Sequence, residues 1–198
     1  MSRSRRRCAT TPHTRRHRRS VVLLTGVATA AGLTLVGAPA ASAAPPDITS
    51  GDYYRITGGS SALAIDVESS STAEDARVVQ REVDLESTSQ AWRALGQSDV
   101  YEFRNANSGK CLSVLGDSED AGAHLVQRDC DGSAGQSWAV RAGDVDPTAG
   151  FQSVLSGHYI DVPGNTQDED TWLELQPGNG EGGNPGASQS FYVVRVDV

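Results

Sequence analysis

Gln-x-Trp occurs twice in this chain, as Gln90-Ala91-Trp92 and Gln136-Ser137-Trp138, and a worn third copy stands at Gln189-Ser190-Phe191. The tripeptide alone constrains little. Each copy, however, closes a longer matching segment. The first runs Tyr54-x-Ile56, Ala64-Ile65-Asp66-Val67, Val78-Val79-Gln80-Arg81, then Gln90-x-Trp92. The second runs Tyr101-x-Phe103, Cys111-Leu112-Ser113-Val114, Leu125-Val126-Gln127-Arg128, then Gln136-x-Trp138. The third runs Phe151, Tyr159-Ile160-Asp161-Val162, Leu173-Glu174-Leu175-Gln176, then Gln189-x-Phe191. Asp66, Ser113 and Asp161 are almost evenly spaced pivots, and the same interval separates them from Arg81, Arg128 and Gln176 respectively. Register kept through two kinds of motif marks a threefold internal repeat, which fixes the class of fold before any single residue is weighed.

Each repeat reads as four short strands. In the second they are Val100–Asn105, Cys111–Val114, His124–Arg128 and Ser137–Arg141, separated by Asn-, Gly-, Asp- and Ser-rich turns. Twelve short strands in threefold repetition, without a convincing amphipathic helix, predict an all-β fold. Three four-stranded propeller blades do not normally close, whereas a β-trefoil with approximate threefold symmetry does. The repeats span about 53–97, 98–144 and 145–198, within a domain of 51–198. Ile65, Leu112 and Ile160 should occupy equivalent core positions. The third repeat carries an insertion, Pro177 to Ser188, rich in Gly, Asn and Pro. It reads as an irregular surface loop, either functional or idle.

Residues 1–43 read as a secretory signal peptide. Arg3 to Arg19 holds eight arginines and no acid, Val21 to Val36 is apolar and rich in small residues, and Ala41-Ser42-Ala43 has the form of a cleavage site. The apolar run is too short and too rich in Ala, Gly and Thr for a stable membrane anchor. Arg18-Arg19 leaves the Tat route open beside Sec. Residues 44–50, with Pro45-Pro46, read as a flexible entry. Cleavage leaves 44–198, one domain's worth of chain. That part holds all 25 acids and nine of the 17 bases, a formal charge of −16. Nucleic acid and anionic membrane are thereby disfavoured as partners; a cationic partner and a merely well-solvated surface both remain open. Cys8 leaves with the leader. Cys111 and Cys130, both within the second repeat, are then expected to pair in an oxidising compartment. No further Cys and no clustered His stands near them to suggest a metal site.

The segment Tyr101 to Trp138 closely resembles one repeat of the ricin B-chain-type lectins, the Gln-x-Trp β-trefoils. Asn107-Ser108-Gly109-Lys110-Cys111-Leu112-Ser113-Val114 resembles the family's second-strand signature, and Gly122 to Cys130 its third. The cysteine pair falls where the family's intra-repeat disulfide falls. The resemblance extends over Tyr53 to Val198, more weakly in the third repeat. It implies a β-trefoil that binds carbohydrate, although fold alone does not fix function. In any such fold the Gln-x-Trp residues Gln90, Trp92, Gln136, Trp138, Gln189 and Phe191 are structural. The indole or phenyl ring fills the core, and the Gln amide satisfies backbone groups of the adjoining loop.

A hexose pocket needs a carboxylate to accept hydrogen bonds from neighbouring hydroxyls, an aromatic face for the ring's C–H surface, and amide donors. The resemblance places the carboxylate at Asp66 and Asp161; Ser113 leaves the second repeat without one. The family's aromatic platform corresponds to Arg81, Arg128 and Gln176, none aromatic, and its Asn to Ser89, Gly135 and Ser188. The third repeat compensates. Strand alternation should set Trp172, Glu174 and Gln176 on one face, with Leu173 and Leu175 toward the core. With Asp161 facing solvent beside them, this is the expected carbohydrate site. Asp66 with Arg81 is a weaker candidate, since an Arg facing an Asp is more often a surface ion pair than a ligand site.

No catalytic motif, metal-binding loop or cofactor fingerprint is present: there is no Gly-x-Ser-x-Gly and no His-Glu-x-x-His, and Asp168-Glu169-Asp170 lacks the spacing of a calcium loop. The sequence thus predicts a secreted, extracellular, monomeric β-trefoil that binds a glycan or polysaccharide weakly and is not an enzyme. Its rivals are a protein-binding trefoil such as a protease inhibitor, with Pro177–Ser188 as the contact, and a scaffold whose sites have decayed.

Overall fold

The computed structural model describes residues 44–198; the expected leader and Cys8 lie outside the described residues. Among the described residues the strands are β1 (Tyr53–Gly58), β2 (Ala64–Val67), β3 (Ala76–Arg81), β4 (Trp92–Gln97), β5 (Val100–Asn105), β6 (Cys111–Val114), β7 (Leu125–Arg128), β8 (Trp138–Ala142), β9 (Ala149–Ser153), β10 (Tyr159–Asp161), β11 (Thr171–Trp172), β12 (Glu174–Gln176) and β13 (Phe191–Val196). β11 and β12 are the two halves of one repeat strand, so the total matches four strands per repeat.

Six strands close a barrel. β1 pairs with β4, β4 with β5, β5 with β8, β8 with β9, β9 with β13, and β13 returns to β1, every pair antiparallel. The other strands form three hairpins, β2–β3, β6–β7 and β10–β12, which cap one end. The hairpins are joined in turn: β3 to β7, β11 to β3, and His124 to Glu174. Closure leaves few free strand edges.

Threefold equivalence reaches individual side chains. Ile65, Leu112 and Ile160 are all buried, and they pair with Gln80, Gln127 and Leu175 at the same register. Val78, Leu125 and Leu173 form a second buried triplet, and Ile56, Phe103 and Phe151 a third. Phe103 meets Phe151 edge-on at 5.3 Å between centroids. Such aromatic contacts add about 0.5–1.5 kcal/mol to the burial of each ring. Ser69, Gly116 and Gly164, at one repeat position just past the pivots, adopt a left-handed conformation that turns the chain back toward the next strand.

The Gln-x-Trp units act as expected. Trp92 Nε1 donates to Ile65 O at 3.0 Å and Trp138 Nε1 to Leu112 O at 3.1 Å, so each ring ties the closing strand to its own pivot strand. Phe191 keeps the packing without that bond. Gln90 Oε1 accepts from Asp84 N and its Nε2 donates to Glu82 O. Gln136 repeats this with Asp131 N and Asp129 O, and Gln189 with Asn179 N and Pro177 O.

Cys111 and Cys130 are disulfide-bonded, with Cα atoms 5.1 Å apart. The entry segment, expected to be mobile, is tied down at its end. Ile48 is buried in the core, Tyr101 Oη donates to Ile48 O at 2.7 Å, and Gly51 N donates to Ala94 O.

Candidate functional site

In the third repeat, β10 and β12 pair with Asp161 directly opposite Glu174 and Tyr159 opposite Gln176. Side chains of directly opposed residues project from the same face. Asp161, Glu174 and Gln176 therefore line one pocket of about 390 Å³, completed by Gly164, Asn165, Pro177, Asn179 and Ser188. Three of the expected site residues are thus brought together. Leu173 and Leu175 are fully buried behind them, as alternation requires.

The insertion rims this pocket instead of standing clear of it. Pro185 is buried and packs so close to Gly150 that a Cβ there would lie 2.6 Å from its Cγ. Gly186 lies tightly against Asn179, where a Cβ would come within 2.0 Å of Oδ1. Gln189 Oε1 accepts from the backbone of both Asn179 and Gly186. The loop therefore delivers Asn179 and Ser188 to the pocket wall. Asn179 Nδ2 donates to Ser188 Oγ at 3.0 Å, and Ser188 Oγ donates to Asp161 Oδ2 at 2.9 Å. Gln176 Nε2 donates to Glu174 Oε1 at 2.9 Å.

The expectation that Asp161 faces solvent is corrected: the residue is only 4% exposed. Burial pushes its carboxyl above the usual aspartate range, the bonds from Ser188 and Gln189 oppose that rise, and the nearby Glu174 charge adds to it.

Trp172 is expected on the same face and is not there. It lies on β11, which pairs with β3 of the first repeat, whereas β12 pairs with β10. The chain changes partners at Leu173, so side chains of equal parity acquire different neighbours. Trp172 stacks on His124, centroids 3.9 Å apart and planes 7° from parallel, and the Arg77 guanidinium lies over the indole at 4.7 Å. Its Nε1 donates to Leu125 O at 2.6 Å. Arg77, His124 and Trp172 follow their pivots at one common interval. The three are repeat equivalents that meet where the hairpins join, and the half-buried Trp172 packs in that junction. The third-repeat pocket has no aromatic residue in its described lining.

The first repeat holds a smaller hollow of about 230 Å³, lined by Asp66, Ser70, Arg81, Glu82, Asp84, Ser87, Gln90 and Glu169. Asp66 is 4% exposed; its Oδ2 accepts from Gln90 Nε2 at 3.1 Å, while Oδ1 is buried without a partner among the described residues. The anticipated Asp66–Arg81 ion pair is not formed. Arg81 instead grips Asp170 of the third repeat, Nε to Oδ1 at 3.0 Å. In the second repeat, Ser113 Oγ donates to Cys111 O of its own strand, and Arg128 stands 3.2 Å from Asp75. Ser113 itself offers no carboxylate, and the Asp117 carboxylate beside Gly135 stands 3.9 Å from Arg128.

Two kinds of residue escape sequence reasoning. Asn165 stands at the repeat position of Ser70 and Asp117, and Asn179 at that of Asp84 and Asp131, so the residue type changes between repeats and no motif marks them. Gln80 and Gln127, at one repeat position, clamp neighbouring repeats: Gln80 Nε2 donates to Thr166 O and Asp168 O, and Gln127 Nε2 to Ser71 O and Ala73 O. Their shared spacing is the signal that could have found them.

Comparison with known proteins agrees with this fold. Residues 88–176 match the family described as ricin-type β-trefoil lectin domain-like. The designed threefold-symmetric protein ThreeFoil superposes with a TM-score of 0.65 at 25% identity, over 73% of this chain and 99% of its own. A ricin B-like lectin of Macrolepiota procera, solved in complex with lactose, gives 0.63 at 18% identity, over 76% and 100%. An exo-β-1,3-galactanase of Clostridium thermocellum gives 0.66 at 25% identity, over 77% of this chain but 31% of the enzyme. A sequence search among curated proteins gave no match. Residues 88–176 are thus similar to the ricin-type β-trefoil lectin domain-like family, and the chain has the fold of the trefoils on which it superposes.

Proposed function

We propose that this chain is a secreted, non-catalytic protein that binds a glycan weakly through the third-repeat pocket. One observation carries the reading: a buried carboxylate, Asp161, opens onto a polar hollow of sugar size together with Glu174, Gln176, Asn179 and Ser188. A folded core has no need of a buried charge at this position, since the second repeat manages with Ser113. Adjacent sugar hydroxyls would donate to the carboxylates, and the amides of Asn179 and Gln176 supply donors in return.

The lining lacks an aromatic face, so hydrogen bonds supply the affinity. Single-site binding should then fall between sub-millimolar and millimolar, about 4–6 kcal/mol. Catalysis is disfavoured by placement. Glycoside hydrolysis needs two carboxyls flanking the scissile bond. Asp161 and Glu174 are cross-strand neighbours on one wall. The partnerless Asp66 Oδ1 supports a second, smaller site in the first repeat. The insertion is spent on rimming the pocket, so a protein-docking role draws no support from it. The basic and apolar leader and the disulfide support export to an oxidising compartment.

The test is a glycan array followed by calorimetric titration of the best sugar. Asp161→Ala should remove the main binding event with far-UV circular dichroism unchanged, and Ser113→Ala should bind as the parent does. A folded Asp161→Ala variant of undiminished affinity would refute the site.

A further inference from the structure

Asp161 and Glu174 form a directly opposed cross-strand pair. Like charges in that position destabilise a sheet. The equivalent pairs in the other repeats are Asp66 with Val79 and Ser113 with Val126, so neither opposes two charges. The last position of the hairpin's second strand differs as well. It is Arg81 in the first repeat and Arg128 in the second, each ion-paired with acids, but the neutral Gln176 in the third. Among the described residues no Lys, Arg or His lines the third-repeat pocket, and His124, bridged to Glu174 from the second repeat, has its ring stacked on Trp172. Two carboxylates therefore share one hollow with only neutral donors among its lining side chains. Asp161 accepts from Ser188 on Oδ2, and Glu174 accepts from Gln176 on Oε1. Closing a neutral sugar over such a pair excludes water and strengthens the repulsion between them. A ligand ammonium between them would relieve it and form charge-assisted hydrogen bonds to both.

We infer that the third-repeat pocket selects hexosamines carrying a free, protonated amine, accepts neutral sugars more weakly and rejects uronates and other anionic sugars. The inference rests on the glycan-binding reading of the same pocket. The overall negative charge would draw any cation to the surface, so selectivity must be separated from bulk attraction. Glu174→Gln does this, because it changes the formal charge by a single unit and leaves the shape of the pocket.

Glucosamine and galactosamine, their N-acetyl forms, and glucuronate and galacturonate are titrated by calorimetry at about pH 6, below the range of an ordinary amine. The free amines should bind about tenfold more tightly than their N-acetyl forms, and the uronates should give no heat of binding. Glu174→Gln should bring free and acetylated amines to similar affinity. A preference that survives Glu174→Gln would assign the effect to the surface field and overturn the inference. Equal affinity for amine and N-acetyl forms in the parent would also overturn it, while leaving the glycan site standing if binding still depends on Asp161. Absence of binding by every sugar would overturn both.

Discussion

Removing the amide of Gln189 should loosen the pocket and the fold together, whereas the same change at Gln136 should loosen the fold alone. Gln189 is fully buried and makes three bonds to the insertion: it accepts from Asn179 N at 3.1 Å and Gly186 N at 3.3 Å, and donates to Pro177 O at 2.9 Å. A hydrogen bond of this kind contributes about 0.5–1.5 kcal/mol net, so Gln189→Ala should cost about 2–4 kcal/mol. In a domain of this size each kcal/mol lowers the melting temperature by about 2–4 °C, which gives a drop of roughly 5–15 °C. Gln136 makes two such bonds, to Asp131 N and Asp129 O, and its loss should cost about 1–3 kcal/mol. Only Gln189 holds the segment that presents Asn179 and Ser188. Calorimetric titration with the best-binding sugar, run well below both melting temperatures, should show affinity reduced about tenfold or more for Gln189→Ala and unchanged for Gln136→Ala. Equal affinity in the two variants would refute the link between clamp and pocket.

Burial raises the Asp161 carboxyl above its ordinary value of 3.8. The native state thus holds this proton more tightly than the unfolded chain, and the associated stability is present at low pH and lost as pH rises through the folded value. Asp161→Asn should therefore melt above the parent at neutral pH, with the gap closing near about pH 3.5; a parent that melts higher at neutral pH would contradict this. Trp172→Phe removes the bond to Leu125 O and should cost about 1–2 kcal/mol while sparing sugar affinity; a loss of binding would return Trp172 to the site. Residues 44–198 should show no titratable thiol before reduction. Reduction should remove about 3 kcal/mol, read as a lower melting temperature.

The fold is legible in the sequence because the threefold constraint is written in side chains that packing cannot relinquish. Ile65, Leu112 and Ile160 fill one layer, and Gln90, Gln136 and Gln189 close three equivalent loops. Asp161, Glu174 and Gln176 are legible as one face because strand parity and pairing agree between β10 and β12. Trp172 is misplaced by the same reasoning because parity says which side a residue faces and not which strand stands beside it. Its equivalence to Arg77 and His124 carries the correct answer, since three residues at one repeat position must meet near the axis. The burial of Asp161 is not legible from strand alternation, which turns a pivot between Ile160 and Val162 outward; Asp66 and Ser113 are equally buried, so the burial belongs to the pivot position in every repeat. Asn179 stands at the repeat position of Asp84 and Asp131, each of which gives its backbone N–H to the following Gln, but the residue type changes there, so no motif marks its side chain.

Backbone amide chemical shifts recorded while a binding sugar is titrated in would locate the site without any mutation. Shifts should concentrate on Asp161, Gly164, Asn165, Glu174, Gln176, Asn179 and Ser188, with smaller changes near Asp66 and none at Ser113 or Trp172. Shifts centred on Trp172 and His124, on the Ser113 face, or absent from the third repeat at saturating sugar would contradict the third-repeat pocket as the working site.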